Sequence, residues 1–317
     1  MKPRACLWGT LMLGALAPCA NANEIGLSFW RPGQMGSMAA VAAEPGWSLP
    51  LVYVRLDLDA TDARELAPGT RLTTDAKGTT NVLLFMPTYT FERSLLGGRP
   101  SVGLGIGAGR SRSQVDVGYA LPGGFSTSGS ESDAHWGRAD LYPTANIKWN
   151  AGSHNYMVYT SGVLPTGTYN RSRLANVGEN RRGLDLGAGY TYFNAKQRME
   201  FSLVGGVTRY GRNPDTDLRS GRNAHIDWAA SYLITPYAHA GLVGYFHRQL
   251  QGDSGSGAFL GHAKSGINAI GPQAGAFFEL GGLRYYINAK AYKEWGAKNR
   301  AEGWNFWLIL AMPFSAK

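Results

Sequence analysis

Three polar residues within one alternating stretch, His225, Asp227 and Ser231, carry side chains that a hydrolase would use. They share one parity, so a β-strand over residues 224–233 would turn all three to the same face. At 3.3 Å per residue, however, His225 and Ser231 would stand about 20 Å apart, which is beyond hydrogen-bond reach. Catalysis by these residues therefore requires a partner from a neighbouring strand. As binding residues, His225 and Asp227 are secondary candidates for the lining of a lumen.

Three other patterns resemble sites but lack the context that each site needs. Residues 103–109 loosely match a nucleotide-binding glycine motif, but the sequence that follows continues a strand instead of opening a helix. Residues 252–255, GDSG, resemble the nucleophile segment of serine proteases without a placed His and Asp. His239 and His247 share a parity but would lie about 26 Å apart. We therefore predict no catalytic residues, no cofactor and no metal site.

Residues 283–295 have two opposed faces. One parity is polar or aromatic and the other is mostly apolar, as expected for a strand between a wet lumen and lipid. The polar set contains Arg284, Tyr286, Asn288, Lys290, Tyr292 and Glu294. We predict that these six side chains line a lumen and set its selectivity, with Glu294 paired to one of the basic groups.

The last fifteen residues, 303–317, read as a closing membrane strand. Every second residue is large and apolar: Trp304, Phe306, Leu308, Leu310, Met312 and Phe314. We assign this row to lipid, because outer-membrane barrels carry an apolar band flanked by aromatic residues. The last strand of a soluble β-sandwich is the alternative.

Residues 1–22 have the composition of a secretory signal. Lys2 and Arg4 precede an apolar run that ends in Ala20-Asn21-Ala22, a small-residue cleavage site. A lipoprotein signal ending at Cys19 is the alternative. Both cysteines of the chain fall within this segment, which excludes disulfide and thiol chemistry from the mature protein. Its removal lowers the net charge from +9 to +7, and no cluster of basic residues indicates nucleic acid.

The rest of the chain divides into an N-terminal segment, residues 23–47, and a barrel domain, residues 48–317. The segment is rich in Gly, Ala and Pro without alternation, so we expect either a plug in the barrel mouth or a flexible leader. About twelve strands follow, an even number as bacterial barrels require. We expect long polar loops at residues 60–78, 121–132, 166–182, 211–221 and 251–261, and tight turns at 194–197 and 280–282.

Several segments resemble outer-membrane proteins of the meta-pathway of phenol degradation family. They are residues 29–34 (FWRPGQ), 45–47 (PGW), 164–169 (LPTGTY), 174–178 (LANVG), 217–221 (DLRSG), 225–231 (HIDWAAS), 241–245 (GLVGY), 252–257 (GDSGSG), 271–273 (GPQ) and 293–300 (KEWGAKNR). The resemblance implies a barrel related to the outer-membrane channels for fatty acids and aromatic hydrocarbons. It carries no motif of assigned binding residues.

These observations predict an all-β protein, a single transmembrane antiparallel barrel of about 12 strands in the outer membrane of a Gram-negative bacterium. We expect a monomeric channel for small hydrophobic or aromatic compounds, anionic ones included. We do not expect an enzyme. Its partners would be outer-membrane lipid, lipopolysaccharide, the barrel-assembly machinery and the solute, with no nucleic acid. Two alternatives stay open: a lipid hydrolase using His225 and Ser231, and a closed structural or adhesive barrel.

Overall fold

The computed structural model of the protein describes residues 29–67, 70–122, 124–258 and 263–313. The predicted signal segment, the first residues of the N-terminal segment and Phe314 lie outside these ranges. Within them, the backbone forms fourteen β-strands. They are β1 (Gly46–Ala67), β2 (Thr70–Phe85), β3 (Thr88–Thr90), β4 (Arg99–Ala120), β5 (Ser126–Arg138), β6 (Tyr142–Ala151), β7 (His154–Val163), β8 (Gly183–Asn194), β9 (Met199–Tyr210), β10 (Asn223–Leu233), β11 (Ala238–Gln249), β12 (Gly266–Leu280), β13 (Leu283–Lys298) and β14 (Glu302–Pro313).

These strands occupy twelve positions in one closed antiparallel ring. β2 and β3 are two halves of one strand interrupted at Pro87, and both pair with β1 and β4. β5 and β6 are likewise two halves that pair with β4 on either side of residues 139–141. The ring closes where β1 pairs with β14, from Ser48↔Pro313 to Asp59↔Glu302. The predicted barrel of about twelve strands is confirmed.

The alternation along each strand separates an outer apolar face from an inner face. In β14, Trp304, Phe306 and Leu308 are exposed on the outside, whereas Asn305 and Trp307 are buried inside. Because backbone groups in a closed barrel pair with neighbouring strands, this outer face can contact lipid without exposing polar groups. The assignment of the terminal strand to lipid is correct for these described residues.

Two of the predicted long loops are wrong. Residues 60–67 and 70–78 continue β1 and β2 as a paired hairpin, and residues 126–132 belong to β5. β1 leaves its partner β14 after Asp59, so the hairpin ends project beyond the ring. Outside the membrane neither face must be apolar, so these strands lack the pattern that reveals the others. β1 also begins at Gly46, within the segment expected to contain no strand.

The connections differ in length at the two ends of the barrel. At one end lie the projecting hairpins and the connections formed by residues 164–182, 211–222 and 250–265. At the other end the chain turns within residues 152–153, 195–198, 234–237 and 281–282. Short turns face the periplasm in outer-membrane barrels, so the long connections mark the outer end.

The inner face is less polar than the sequence indicated. Ten buried hydrophobic side chains, contributed by strands on one side of the ring, pack together inside the barrel. They include Val54, Tyr245, Tyr292 and Trp307. Part of the lumen is therefore a packed core, as small barrels permit when side chains fill the interior.

Candidate functional site: the occupied lumen

Residues 29–45, which we call the luminal segment, run through the interior of the barrel. At the outer end Phe29 packs edge-on against Tyr210, with ring centroids 5.8 Å apart. At the periplasmic end Arg99 donates a hydrogen bond of 3.0 Å to the carbonyl of Ala43. Between these two points the segment contacts inward-facing side chains of several strands.

Trp30 is the largest anchor of the luminal segment and is fully buried. Its indole stacks on the His225 ring at 4.2 Å and on the Tyr159 ring at 5.1 Å. Gly187 and Gly206 lie between Tyr159 and His225 along the sheet. A Cβ at position 206 would stand only 2.4 Å from the Tyr159 hydroxyl. The glycines thus leave room for aromatic rings against the wall.

The rings of Tyr159 and His225 form the site on which the indole stacks, which we call the slot, and Asp185 fixes both of them. Its carboxylate accepts hydrogen bonds from the Tyr159 hydroxyl at 2.8 Å and from Thr208, and it lies 3.1 Å from His225 Nε2. A buried carboxylate requires such partners, and here they also fix the two rings that contact Trp30. The slot is therefore held in shape by the wall, independently of the luminal segment.

Two further buried carboxylates accept backbone N–H groups of the luminal segment. Asp227 accepts from Gly33 at 3.0 Å and from Met35 at 3.1 Å. Glu200 accepts from Met38 N at 2.9 Å and from the Ser37 hydroxyl at 2.6 Å. These contacts satisfy amide groups that the irregular backbone cannot pair within itself.

Lys290 and Tyr292 bind the carbonyl groups of the same turn. The Lys290 ammonium donates to the carbonyls of Gly33, Gln34 and Met35 at 2.7, 3.0 and 3.1 Å, which uses all three of its donors. The Tyr292 hydroxyl donates to Gly33 O at 3.0 Å. Gly33 has φ +85, and a Cβ there would lie 2.9 Å from the Tyr292 ring. Only glycine fits this position.

The other predicted lumen residues have different surroundings. Asn288 is buried and donates a hydrogen bond to Ala274 O. The Tyr286 hydroxyl is hydrogen-bonded to His239. Arg284 is exposed beside the Phe277 ring. Glu294 is buried but pairs with Arg300 at 3.3 Å, not with Arg284 or Lys290. It also accepts from the Tyr245 hydroxyl at 2.6 Å and from Gly303 N at 3.0 Å. Glu294 therefore joins β13, β14 and β11.

The structure places the proposed hydrolase residues away from lipid. His225, Asp227 and Ser231 do share a face, but it is the inner one, where all three are buried. Ser231 lies 2.9 Å from the Ser37 hydroxyl and accepts from Gln273 at 2.8 Å, while His225 faces Asp185. The strand register turns both side chains toward the lumen, so the lipid-hydrolase alternative has no His and Ser at the lipid surface in this strand.

The long connection of residues 164–182 folds into the outer opening. Asp140, at the interruption between β5 and β6, accepts from Gly167 N at 2.7 Å and from Glu179 N at 2.8 Å. Val177 is buried against Val82 and Ala139. The interruption of the strand thus anchors a second inward element above the luminal segment.

Several of these residues were not found by sequence reasoning. Asp185 and Glu200 lie on the inner parity of strands that were placed correctly, so an acidic residue within an otherwise apolar or small inner row was an available signal. Nothing in the local sequence of Trp30 identifies its ring partners, which come from positions more than 100 residues away. In the described ranges, no three His, Cys, Asp or Glu residues group to hold a metal ion.

The sequence matches the family described as "Putative MetA-pathway of phenol degradation" over residues 61–310. The chain belongs to this family. The protein has the fold of the COG4313 outer membrane channel from Pseudomonas putida F1, with a TM-score of 0.64 and 18% identity over 90% of this chain and 99% of that one. A Pseudomonas aeruginosa FadL homologue aligns with a TM-score of 0.41 and 8% identity over 85% and 90% of the two chains. No curated protein sequence matches the chain.

This member of the phenol-degradation family is thus an outer-membrane β-barrel with the fold of a channel. Along its lumen, aromatic rings on the wall meet a segment held by buried charges. A cavity of about 810 Å³ lies elsewhere, on the outer wall, where the exposed side chains of Val102, Val158 and Leu186 contribute to its lining.

Proposed function

We propose that the protein admits small hydrophobic or aromatic compounds across the outer membrane, and that the luminal segment keeps the lumen closed until it is displaced. The observation that carries this proposal is the stacking of Trp30 on His225 and Tyr159, whose rings lie side by side on the wall. An indole that belongs to the chain occupies a site whose walls would equally accept the ring of a solute.

The shape of the slot favours flat, ring-bearing compounds. Stacked aromatic pairs contribute about 0.5–1.5 kcal/mol beyond the burial of their area. Because Asp185 fixes His225 and Tyr159 without help from the luminal segment, the slot would persist when Trp30 leaves. Tyr245, Tyr292 and Trp307 extend the aromatic surface on the far side of the lumen.

The bonds that hold the luminal segment are of a kind that water replaces at modest cost. Each is a hydrogen bond between the segment and the wall, and the net contribution of such a bond is about 0.5–1.5 kcal/mol, or 1.5–3 kcal/mol when one partner is charged. The two charged anchors of the central turn, Asp227 and Lys290, would also attract each other once the segment is displaced. In this proposal, opening exchanges these partners for water and leaves the barrel wall intact.

The charge preference of the open lumen stays a prediction. In the structure the Lys290 ammonium is fully occupied by carbonyl groups. After displacement it would become a free donor that could attract an anionic aromatic compound, with Asp227 and Glu200 opposing it. An anion preference therefore depends on how far these carboxylates are from the path of the solute.

A double variant tests the proposal. Lys290→Met with Asp227→Asn removes both charged anchors and should shift the segment toward the displaced state. We expect benzenesulfonate, an aromatic anion that crosses lipid only slowly, to enter proteoliposomes at least tenfold faster than with the wild type. Lys293→Met, on the exposed face of the same strand, is the control and should change entry less than twofold.

A closed structural barrel is the second candidate, favoured by the packed inner cluster and by the inward loop of residues 164–182. It predicts that the double variant stays as impermeable as protein-free liposomes while retaining the heat-modifiable migration of a folded barrel. That result would overturn the channel proposal.

A further inference from the structure

Arginine side chains gather on one sector of the outer rim. Arg182, Arg209 and Arg222 have the same parity as the exposed apolar side chains of β8, β9 and β10, so they point away from the lumen. Arg219 joins them from the connection between β9 and β10. We call these four residues the arginine patch.

The patch stands just above the part of the wall that contacts lipid. Arg209 follows the exposed Val207 by two residues, a rise of about 7 Å. Arg182 precedes the exposed Leu184 by the same step, and Arg222 lies four residues before the exposed Ile226. The long, flexible arginine stems can place their guanidinium groups at the level of lipid headgroups.

Arg209 and Arg222 lie opposite each other at the outer ends of the adjacent strands β9 and β10. Asn223 pairs with Thr208 at the end of the ladder, so the next residue on each strand brings Arg222 opposite Arg209. Like charges directly opposite each other on one face of a sheet are destabilising. Their juxtaposition therefore needs an anion to offset it.

The protein itself does not supply that anion within the described residues. Among the residues that the structure describes, none forms an ion pair with Arg182, Arg209, Arg219 or Arg222. Two carboxylates of the adjacent connections have other partners: Asp253 accepts from Gly221 N and Gln249, and Asp217 pairs with Arg212.

A cavity opens between the guanidinium-bearing residues. It has a volume of about 410 Å³ and is lined by Arg209, Arg219, Arg222, Ser220, Gln251 and Ser254, among others. Arg222 donates through Nε to Gln251 at 2.9 Å and Arg219 donates through Nε to Tyr210 O at 3.3 Å, which leaves their terminal amino groups for a ligand. Guanidinium pairs and hydroxyl groups are the donors that recognise phosphate.

We propose that this cavity binds a phosphate group of a glycolipid in the outer leaflet, the class to which lipopolysaccharide belongs. The position of the patch directly above the lipid-facing wall favours a phosphate attached to the membrane over one free in solution. The site is separate from the lumen and does not depend on the channel proposal.

The test is a titration of the mature, detergent-solubilised protein with purified bis-phosphorylated lipid A and with the same glycolipid after removal of its phosphates, followed by native mass spectrometry. We expect the wild type to bind the phosphorylated form at least tenfold more tightly. Arg209→Gln with Arg222→Gln should lose this preference, and Arg209→Lys with Arg222→Lys should retain only part of it.

Arg110→Gln with Arg112→Gln is the matched control, because these two arginines are exposed on the outer face of β4 and do not line the cavity. This control should keep the wild-type preference. Equal binding of both glycolipids by the wild type overturns the proposal even if the variants fail to fold. Inorganic phosphate that binds as tightly as lipid A would replace the membrane-attached ligand with a soluble anion and would also overturn it.

Discussion

Trp30 connects the luminal segment to the barrel wall more extensively than any polar contact does. Replacing it with Ala removes the stacked ring and leaves an empty slot, a change that costs about 3–5 kcal/mol for buried Trp. Because the loss falls on the closed state, we expect the displaced fraction to rise between roughly a hundredfold and a few thousandfold, at 1.4 kcal/mol per factor of ten. Single-channel recording in planar bilayers would detect it as longer or more frequent openings.

The control for this variant is Trp47→Ala, which removes an exposed ring from the start of β1. It should leave the recording unchanged. Added indole should partly close the Trp30→Ala channel by filling the slot. If Trp30→Ala conducts like the wild type and indole has no effect, then the slot does not govern opening.

At the scale of single residues, the sequence predicts orientation better than partnership. In β13, Asn288, Lys290, Tyr292 and Glu294 share one parity and are all buried on the inner face. The alternation did not identify their partners, since Lys290 binds carbonyl groups more than 250 residues earlier in the chain. Period-two patterns define a face, whereas contacts across a lumen depend on the closure of the whole ring.

Two carboxylates hold the connection of residues 164–182: Asp133, which pairs with Arg173 at 2.7 Å and accepts from Ala175 N at 3.2 Å, and Asp140. Asp140→Asn keeps the shape of the side chain but leaves one oxygen to accept, where the carboxylate accepts from both Gly167 N and Glu179 N. An unpaired buried amide costs about 1–3 kcal/mol, so we expect this connection to open more often. Limited trypsin digestion at Arg171 and Arg173 should become faster.

Asp215→Asn, on an exposed position of another outer connection, is the control for this digestion and should not change its rate. Unchanged cleavage in Asp140→Asn would show that the other contacts, among them the ion pair of Asp133 with Arg173 and the packing of Val177, hold the connection without Asp140.

Two outer connections are joined by Asp217. Hydrogen bonds from the Ser256 N–H and hydroxyl, at 3.0 and 2.8 Å, hold the pKa of the Asp217 carboxyl below its ordinary value, with a smaller effect from Arg212. A lowered pKa means that the contact is fully formed at neutral pH and is lost as the pH falls through that lowered value. We expect hydrogen exchange at Ser256 to be slow at neutral pH and to lose its protection in strong acid.

Asp217→Asn should remove this pH dependence and leave Ser256 poorly protected at every pH, after correction for intrinsic exchange rates. Asn tolerates the positive φ of position 217, so the substitution tests the charge without straining the backbone. Protection in the variant equal to that of the wild type would mean that Asp217 does not join the two connections.

At the scale of elements, the sequence predicts what the membrane imposes. The strands that cross lipid alternate between apolar and inner residues and were placed nearly correctly. The projecting ends of β1, β2 and β5 contain residues such as Thr73, Thr74 and Ser128, which carry no alternation between lipid and lumen. Pairing with a neighbouring strand makes them extended, and that neighbour is not visible in a local pattern.

The whole molecule is a closed ring whose interior is occupied by its own chain. The alternating pattern that predicts the ring is present in twelve segments, so an error in placing one strand does not change the predicted fold. The path of the luminal segment could not be predicted in this way, because the composition of the segment fits a flexible leader as well as a plug. Its position follows from contacts such as Asp227 with Gly33 and Glu200 with Met38, which only the assembled barrel brings together.

The most direct test of the closed lumen fixes the segment to the wall. The Ser37 and Ser231 hydroxyl oxygens are 2.9 Å apart, and the native cysteines lie only at positions 6 and 19, within the predicted signal segment. Ser37→Cys with Ser231→Cys should therefore form one disulfide in the mature protein. Liposome entry of benzenesulfonate, which crosses lipid only slowly, should be abolished in the oxidised double variant and restored by reduction, while Ser37→Cys alone should respond to neither treatment. Entry that proceeds equally through the oxidised and the reduced protein would contradict the account.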